Sequence, residues 1–533
     1  MSIDCPQVSV REGATGLPWS SPPSISGATL SSTTDSRSAD DSVLVSVDPS
    51  SGEVIAEHRV DDADAVRAAV ADARVAARTW AGMSFAERKR ALQRWAAYLT
   101  GHADEFSALM HQENGKPLDD AFLELSLTVG HIDWAAKHAE KTLRTRTVRP
   151  GALMANFAAS VEYRPLGVVG VIGPWNYPTY TPNGSIAYAL AAGNTVVFKP
   201  SEYTTTIGNY YAESFSKANP ELPQHILRTV NGYGATGAAL VTAGVDKIAF
   251  TGSTATGKRI MAAAAETLTP ILLECGGKDA AIVAADADVA AAARDIAWGA
   301  AANSGQTCVG IERVYVLASV RERFLDELRK NLAQVRAGSE PGAHYGPMTM
   351  PSQVAVVREH IEDALKHGGT ALVGGPDSVR APFIDPVVLV DVDEDSLAVQ
   401  EETFGPTVTV RSVDSLDEAI ALANGTRYGL ASSVYSARHG VEIARQLRAG
   451  ATSINSVIAF GAISALPFGG VGESGIGRIH GEEGLREFVR PHSIARQRFA
   501  IPGMALLALD RTPAAMAMAR RAVRMLYGRA PRR

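Results

Sequence analysis

Cysteine is scarce: Cys5, Cys275 and Cys308 are the three in a chain of 533 residues. They are too few for a disulfide framework and their spacing fits no zinc motif, which excludes a small cross-linked scaffold and implies a reducing compartment. Basic charge is not in excess either. With 51 Lys and Arg against 57 Asp and Glu the formal net charge is −6, so the body of the protein offers no electrostatic footprint for nucleic acid. Long apolar runs are missing; the longest, Phe499 to Leu509, is too short to cross a bilayer. Met1 to Ala39 has neither a basic patch nor an apolar core of signal-peptide length, and no secretion signal is expected. From about Arg11 to Asp41 large apolar residues give way to Ser, Thr, Gly and Pro, which cannot offset the entropy of ordering. Residues 1–45 are therefore expected to form a disordered extension.

What remains is ordinary globular material, 46% hydrophobic and 20% charged, long enough for roughly two or three cores. Between Asp61 and His111 the helical period is clear: Val66, Val70, Ala73 and Ala77 share one face, and Ala91, Trp95 and Leu99 another. A strand-like segment runs from Leu153 to Arg164. Then strands (Val168–Ile172, Thr195–Phe198, Ile226–Val230, Lys247–Phe250) alternate with helices (Ser185–Ala192, Thr205–Ala218). Such alternation predicts an α/β fold with a parallel sheet covered by helices, ligands lying at the carboxyl ends of its strands. A second α/β region follows, with strands at Ile271–Leu273, Ala280–Val283 and Arg313–Leu317, helices at Val289–Ala302, Phe324–Leu332 and Val354–His367, and a glycine-rich loop at Pro467–Arg478. The segment from Arg496 to Arg533 is rich in arginine with the single acid Asp510, and its Ala514–Tyr527 stretch reads as a short helix. A solvated tail, an oligomer contact and a weak association with an anionic membrane surface all fit it.

Several short stretches carry chemistry. Cys308 follows the polar turn Asn303-Ser304-Gly305-Gln306-Thr307 and precedes a strand, a place where a nucleophile can be reached; taken alone, it reads more readily as a small buried hydrophobe. Glu274 ends an apolar strand, where burial raises a carboxyl's pKa toward a general base's range. Asn176 sits between Pro174 and Pro178, whose fixed φ stiffens the loop that holds its amide. Lys199 and Glu202 end another buried strand, where a nucleotide ribose would lie in an open parallel sheet. Gly232-Tyr233-Gly234-Ala235-Thr236-Gly237 matches a dinucleotide fingerprint but lacks the usual downstream acid. Gly252 to Lys258 nearly matches a P-loop. Arg259 stands where Ser or Thr must hold magnesium, so the nucleotide-hydrolase reading loses its metal ligand.

Taken together, PWNYP, FKPSE, FTGSTATGK, LECGGK, NSGQTC, EETFGP and PFGGVGESGIGR occur in this order, and the chain resembles the NAD(P)-dependent aldehyde dehydrogenase superfamily over roughly Asp48 to His492. The resemblance implies Cys308 as nucleophile, Glu274 as general base, and Asn176 with the Cys308 N–H as oxyanion hole, with no metal. For the cofactor it implies Lys199 and Glu202 on the adenosine ribose, Ser253 on the pyrophosphate, Gly234 on the adenine side, Glu402 and Phe404 around the nicotinamide, and Trp175 in the same set. The implied architecture is a Rossmann-like cofactor domain (46–145 and 167–273), an α/β catalytic domain (274–484), a small β oligomerisation element (146–166 and 485–500) and a basic amphipathic tail (501–533). A cytoplasmic homodimer or homotetramer acting on a small-molecule aldehyde is expected, with peripheral membrane contact through the tail left open.

Glu202 favours NAD over NADP, since a carboxylate accepts hydrogen bonds from both ribose hydroxyls and repels a 2′-phosphate. Two positions depart from relatives. Cys275 stands where the family usually has leucine. Ala302 stands where the succinic semialdehyde branch has a substrate-holding arginine, and Gly184 at the matching position near the PWNYP loop, which favours an uncharged aldehyde over an acidic one. The alternatives are a semialdehyde dehydrogenase that clamps its substrate with other residues, and a non-catalytic nucleotide-binding protein on the same scaffold.

Overall fold

The computed structural model describes residues 42–500 and 509–528. Its centre is a six-stranded sheet ordered Gly475–Ile476, Ile271–Cys275, Lys247–Gly252, Val168–Ile172, Thr195–Lys199, Leu227–Thr229. All but the first strand run parallel. Strands such as Val168–Ile172 and Thr195–Lys199 are buried on both faces because helices cover both sides, which is why they read as continuous apolar runs. Chain order reverses between Val168–Ile172 and Lys247–Gly252, and this switch point opens a crevice at the carboxyl ends of the strands.

Four helices, Ala63–Gly82, Phe85–Gly101, Ala103–Asn114 and Leu118–Leu143, precede that sheet. All seven positions singled out on their apolar faces are buried. The indole N–H of Trp80 donates to Leu190 O (3.0 Å) and that of Trp95 to Ser214 Oγ (2.7 Å), so both large rings are buried with their polar handle satisfied. The helix Phe85–Gly101 begins at a capping box in which Ser84 and Glu87 satisfy each other's backbone N–H.

A second sheet of seven strands, Thr370–Val373, Val387–Val390, Thr407–Val413, Ile311–Leu317, Asp279–Val283, Ala431–Tyr435, Ala451–Ile454, is parallel except for its first member. A third, antiparallel sheet joins Val489–Gln497, Phe157–Pro165 and Arg146–Val148. Its Val489–Gln497 strand is exposed beyond the first residue.

The observed boundaries differ from the expected ones for identifiable reasons. Strand pairing begins at Val43, which aligns with Arg59, so the expected extension over 1–45 runs too far; the rest of it lies outside the described residues. The helix expected at Ser185 starts at Tyr180: Pro182 reads as a breaker, but in a first turn its missing N–H is no loss. Leu153 belongs to a short turn of helix, and the strand starts at Phe157. The expected division at 273/274 cuts a strand, because Ile271–Cys275 carries Glu274 and Cys275, and Gly475–Ile476 returns from the second region to pair with it. Residues 485–487 belong to the helix Gly481–Glu487, so the small sheet resumes at Val489. In the tail, the helix Pro513–Tyr527 is present, while 501–508 and 529–533 lie outside the described residues.

Candidate active site

The turn before Cys308 is held in an unusual backbone state. Asn303, Ser304 and Gly305 take φ of 53°, 59° and 69°, three successive left-handed residues of which only the glycine does so freely. Each of the two strained positions costs roughly 1–3 kcal/mol and persists because its surroundings hold it. Asn303 Nδ2 donates to Asn176 O (3.1 Å), Ser304 Oγ to Gly346 O (2.7 Å), and the Gln306 side chain bridges Asn303 O and the Thr349 N–H. The turn therefore delivers Cys308, half-buried, at the foot of the strand Ile311–Leu317.

Glu274, at the end of its strand, lies with Oε1 3.7 Å from Cys308 Sγ. Burial pushes its carboxyl up to about 7, against hydrogen bonds from Cys308 and Thr251. Burial, and then the charge of Glu274, hold the Cys308 thiol well above its ordinary range, so the sulfur keeps its proton and donates it to Glu274. Asn176 Nδ2 donates to Gln306 O at 2.9 Å, which fixes the amide beside the cysteine turn. The structure thus brings Cys308, Glu274 and Asn176 together from three distant stretches of chain.

The switch-point crevice is a cavity of about 490 Å³ lined by Trp175, Lys199, Glu202, Gly234 and Ser253. Lys199 Nζ donates to Pro200 O (2.9 Å) and stands 3.6 Å from Glu202 Oε2. Burial lowers its pKa. Two helices, Gly234–Thr242 and Thr254–Ala265, start in this crevice, so backbone N–H groups face it. A smaller cavity of about 260 Å³ shares Trp175 and Ser253 with it and continues past Glu402 and Phe404 to Glu274 and Cys308. All of the sequence-predicted cofactor residues therefore line one continuous path. Glu402 accepts from the Gly277 N–H (3.0 Å); a Cβ on Gly276 would meet its carboxylate at 2.0 Å and one on Gly277 would meet Cys308 O at 2.6 Å, which explains the paired glycines. Burial, then Glu312, pushes Glu402 up to about 8. Phe404, with φ 51°, packs edge-on against Trp175 at 5.5 Å. Shape and donor set fit an extended dinucleotide. Among the described residues no cluster of His, Cys, Asp or Glu could hold a metal ion.

On the other side of Cys308 lies a predominantly apolar cavity of about 370 Å³ with Tyr177, Tyr180, Val457, Phe468 and, at its exposed mouth, Leu123 and Trp298. Among the described residues, Glu274 and Cys308 alone line both this cavity and the path from the crevice. Sequence reading missed these walls. Tyr177 donates to or accepts from Thr307 Oγ1 (3.0 Å), and Tyr180 donates to Gly461 O (2.7 Å). It also missed Lys116, which is buried against Glu124 and donates to Asn176 O (3.0 Å); Glu124 in turn caps Thr179 and Tyr180. Apart from the proline-flanked Tyr177, no local pattern marks any of them. Ala302 lines the cavity, as expected of a position facing substrate. Gly184 does not: it is buried in the helix Tyr180–Ala192, where a Cβ would meet Ile479 at 2.7 Å and His480 at 2.8 Å, so it is a close-packing position. Cys275 is likewise packing. Its sulfur lies against Gly257 in the core, and burial pushes its thiol up to about 12.

Comparison with known proteins agrees with this geometry. The aldehyde dehydrogenase family profile matches residues 36–494. A 4,4'-diapolycopene aldehyde oxidase from Methylomonas sp is 36% identical over 86% of this chain and 87% of its own. A chloroplastic betaine aldehyde dehydrogenase from Beta vulgaris is 35% identical over 83% and 91%. The crystal structure of lactaldehyde dehydrogenase from Escherichia coli superposes with a TM-score of 0.82 at 30% identity, covering 86% of this chain and 96% of that one. The match spans both large sheets, the crevice and the cysteine turn, and the chain belongs to the aldehyde dehydrogenase family, oxidoreductases that act on aldehydes with a nicotinamide cofactor.

Proposed function

We propose that this protein oxidises a largely apolar, uncharged aldehyde to the carboxylic acid with NAD, through a thioester on Cys308. The observation that carries the reading is that Cys308 and Glu274 line both the dinucleotide path and the apolar cavity. Cys308 Sγ forms a bond to the aldehyde carbon as the thiol proton passes to solvent water and the C=O π bond opens, and the oxygen gains a negative charge facing Asn176 Nδ2 and the Cys308 N–H. Bound NAD would supply the hydride acceptor, held by Lys199, Glu202, Ser253 and Glu402, and Cys308 Sγ would keep the oxidised carbon as a thioester. Glu274 then takes a proton from water, water attacks the thioester carbon, and the cysteine leaves as the acid is released.

The substrate reading rests on the wall chemistry. Lys116 is the one cation on the apolar cavity among the described residues, and it is paired with Glu124, so it cannot clamp a carboxylate. That argues against a semialdehyde, and the similarity to a diapolycopene aldehyde oxidase points the same way. The test is NADH formation across aldehydes from short hydrophilic to long apolar ones. We expect kcat/KM to rise with apolar length by roughly tenfold for each pair of well-buried methylenes. A preference for succinic semialdehyde overturns the substrate assignment.

Glu202 is proposed to set cofactor choice. Its carboxylate borders the crevice beside the buried Lys199, so a 2′-phosphate would approach a negative charge in partly desolvated surroundings. NADP is expected to give at least about tenfold lower kcat/KM than NAD, and Glu202→Gln to narrow the ratio by about tenfold. An NADP preference in the wild type, or an unchanged ratio in the variant, removes Glu202 from this role.

A further inference from the structure

The helix Pro513–Tyr527 has no part in the site described above. It is well formed: Thr512 Oγ1 accepts from the Ala515 N–H at 3.2 Å, and proline occupies the first turn. At ~100° per residue, Arg520, Arg521 and Arg524 fall within an arc of about 100°, while Met518, Val523, Met525 and Leu526 lie outside it. Those four side chains are exposed, as is Tyr527; Met525 is 69% and Tyr527 68% exposed. Five large apolar groups facing water on one 15-residue helix need a cover.

Charge decides which cover. Beyond Asp510 the sequence holds seven arginines and no acid or lysine, on a chain whose net charge is −6. Among the described residues Arg520, Arg521 and Arg524 form no ion pair, so the helix does not use its cations on the acidic body. Two such tails would repel each other, which disfavours a second copy as the cover. A nucleic acid would meet the arginines but leave the methionines and Leu526 wet. A bilayer with anionic headgroups satisfies both faces. At 1.5 Å per residue the helix is roughly 22 Å long, short of the ~30 Å needed to span, so it would lie in the plane of the interface. No helix among the described residues is long and apolar enough to cross a membrane.

We propose that Pro513–Tyr527 is an interfacial helix that docks the enzyme on anionic lipid surfaces, its arginines at the phosphates and Met518, Met525 and Leu526 among the acyl chains. An apolar aldehyde partitions into the same bilayer, so docking would bring the enzyme to its substrate.

The test is flotation of the full-length protein with phosphatidylcholine vesicles and with phosphatidylcholine–phosphatidylglycerol vesicles. Binding is expected to the anionic vesicles alone and to weaken with salt. Arg520→Gln/Arg521→Gln/Arg524→Gln should lower the partition coefficient about 100-fold, since each basic side chain contributes separately. Met525→Asp/Leu526→Asp should abolish it. Each variant should oxidise a short water-soluble aldehyde at the wild-type rate, which reports intact folding. Absence of flotation with anionic vesicles, or equal flotation of wild type and both variants, overturns the proposal. So does a change in sedimentation coefficient in the variants without a change in flotation, which would make the helix a contact between copies. Flotation does not depend on turnover, so its failure and a failure of the aldehyde reading are separable.

Discussion

Cys308→Ala is expected to lower kcat/KM for aldehyde oxidation by at least about 10⁴-fold while leaving NADH affinity unchanged. The size of the effect follows from the absence of a substitute. The hydroxyl of the preceding residue, Thr307, is engaged with Tyr177. The other described thiol, Cys275, borders the smaller cavity but has its sulfur packed against Gly257, and burial pushes it up to about 12, so it stays protonated. Lys199, Glu202 and Gly234, proposed to hold the cofactor, line the crevice, whose walls do not include Cys308. NADH formation gives the rate and fluorescence titration gives the affinity. Full activity in the alanine variant would exclude covalent catalysis at this residue. A loss of activity accompanied by a comparable loss of NADH binding would instead mean that the turn at Asn303–Gly305 had rearranged.

Much of this arrangement is legible in the sequence because the site residues sit at strand ends, where glycine and proline punctuate the chain. Asn176, Lys199, Ser253 and Glu274 each follow an apolar run, and the structure places all four at the carboxyl edge of one parallel sheet. What is not legible depends on contacts between distant segments. That Cys308 meets Glu274 at the junction of two cavities is set by how the two sheets are packed. The left-handed backbone at Asn303 and Ser304 is imposed by partners as far away as Gly346. The buried Lys116–Glu124 pair looks in the sequence like two ordinary surface charges. Cys275 is the instructive case. Side chains alternate along a strand, so with Glu274 aimed at the site its neighbour had to face the opposite layer, and the question of a second reactive thiol was answerable from the period alone.

Glu274→Gln is expected to separate the two halves of the reaction. The amide keeps the shape of the side chain and cannot accept a proton, so acylation of Cys308 should still release up to one NADH per subunit as a burst. Steady turnover should fall by roughly 10²–10⁴-fold because water is no longer activated. The pH profile gives an independent handle. Burial holds the carboxyl at about 7, so below that pH it carries a proton and is idle as a base, and the wild-type steady-state rate should rise as pH passes through about 7. The variant should lose that limb. Stability should respond with the opposite sign. A carboxyl whose folded pKa is raised stabilises the fold while protonated, at low pH. It costs stability as pH climbs from its ordinary value of 4.5 through about 7. Glu274→Gln should therefore be nearly neutral at pH 5 and more stable than wild type at pH 8, by up to about 3 kcal/mol. Rapid-mix NADH bursts and thermal unfolding at the two pH values test both arms. A variant with unchanged steady turnover, or one that keeps the wild-type pH limb, would assign the base to another residue and leave Glu274 only its hydrogen bond to the cysteine.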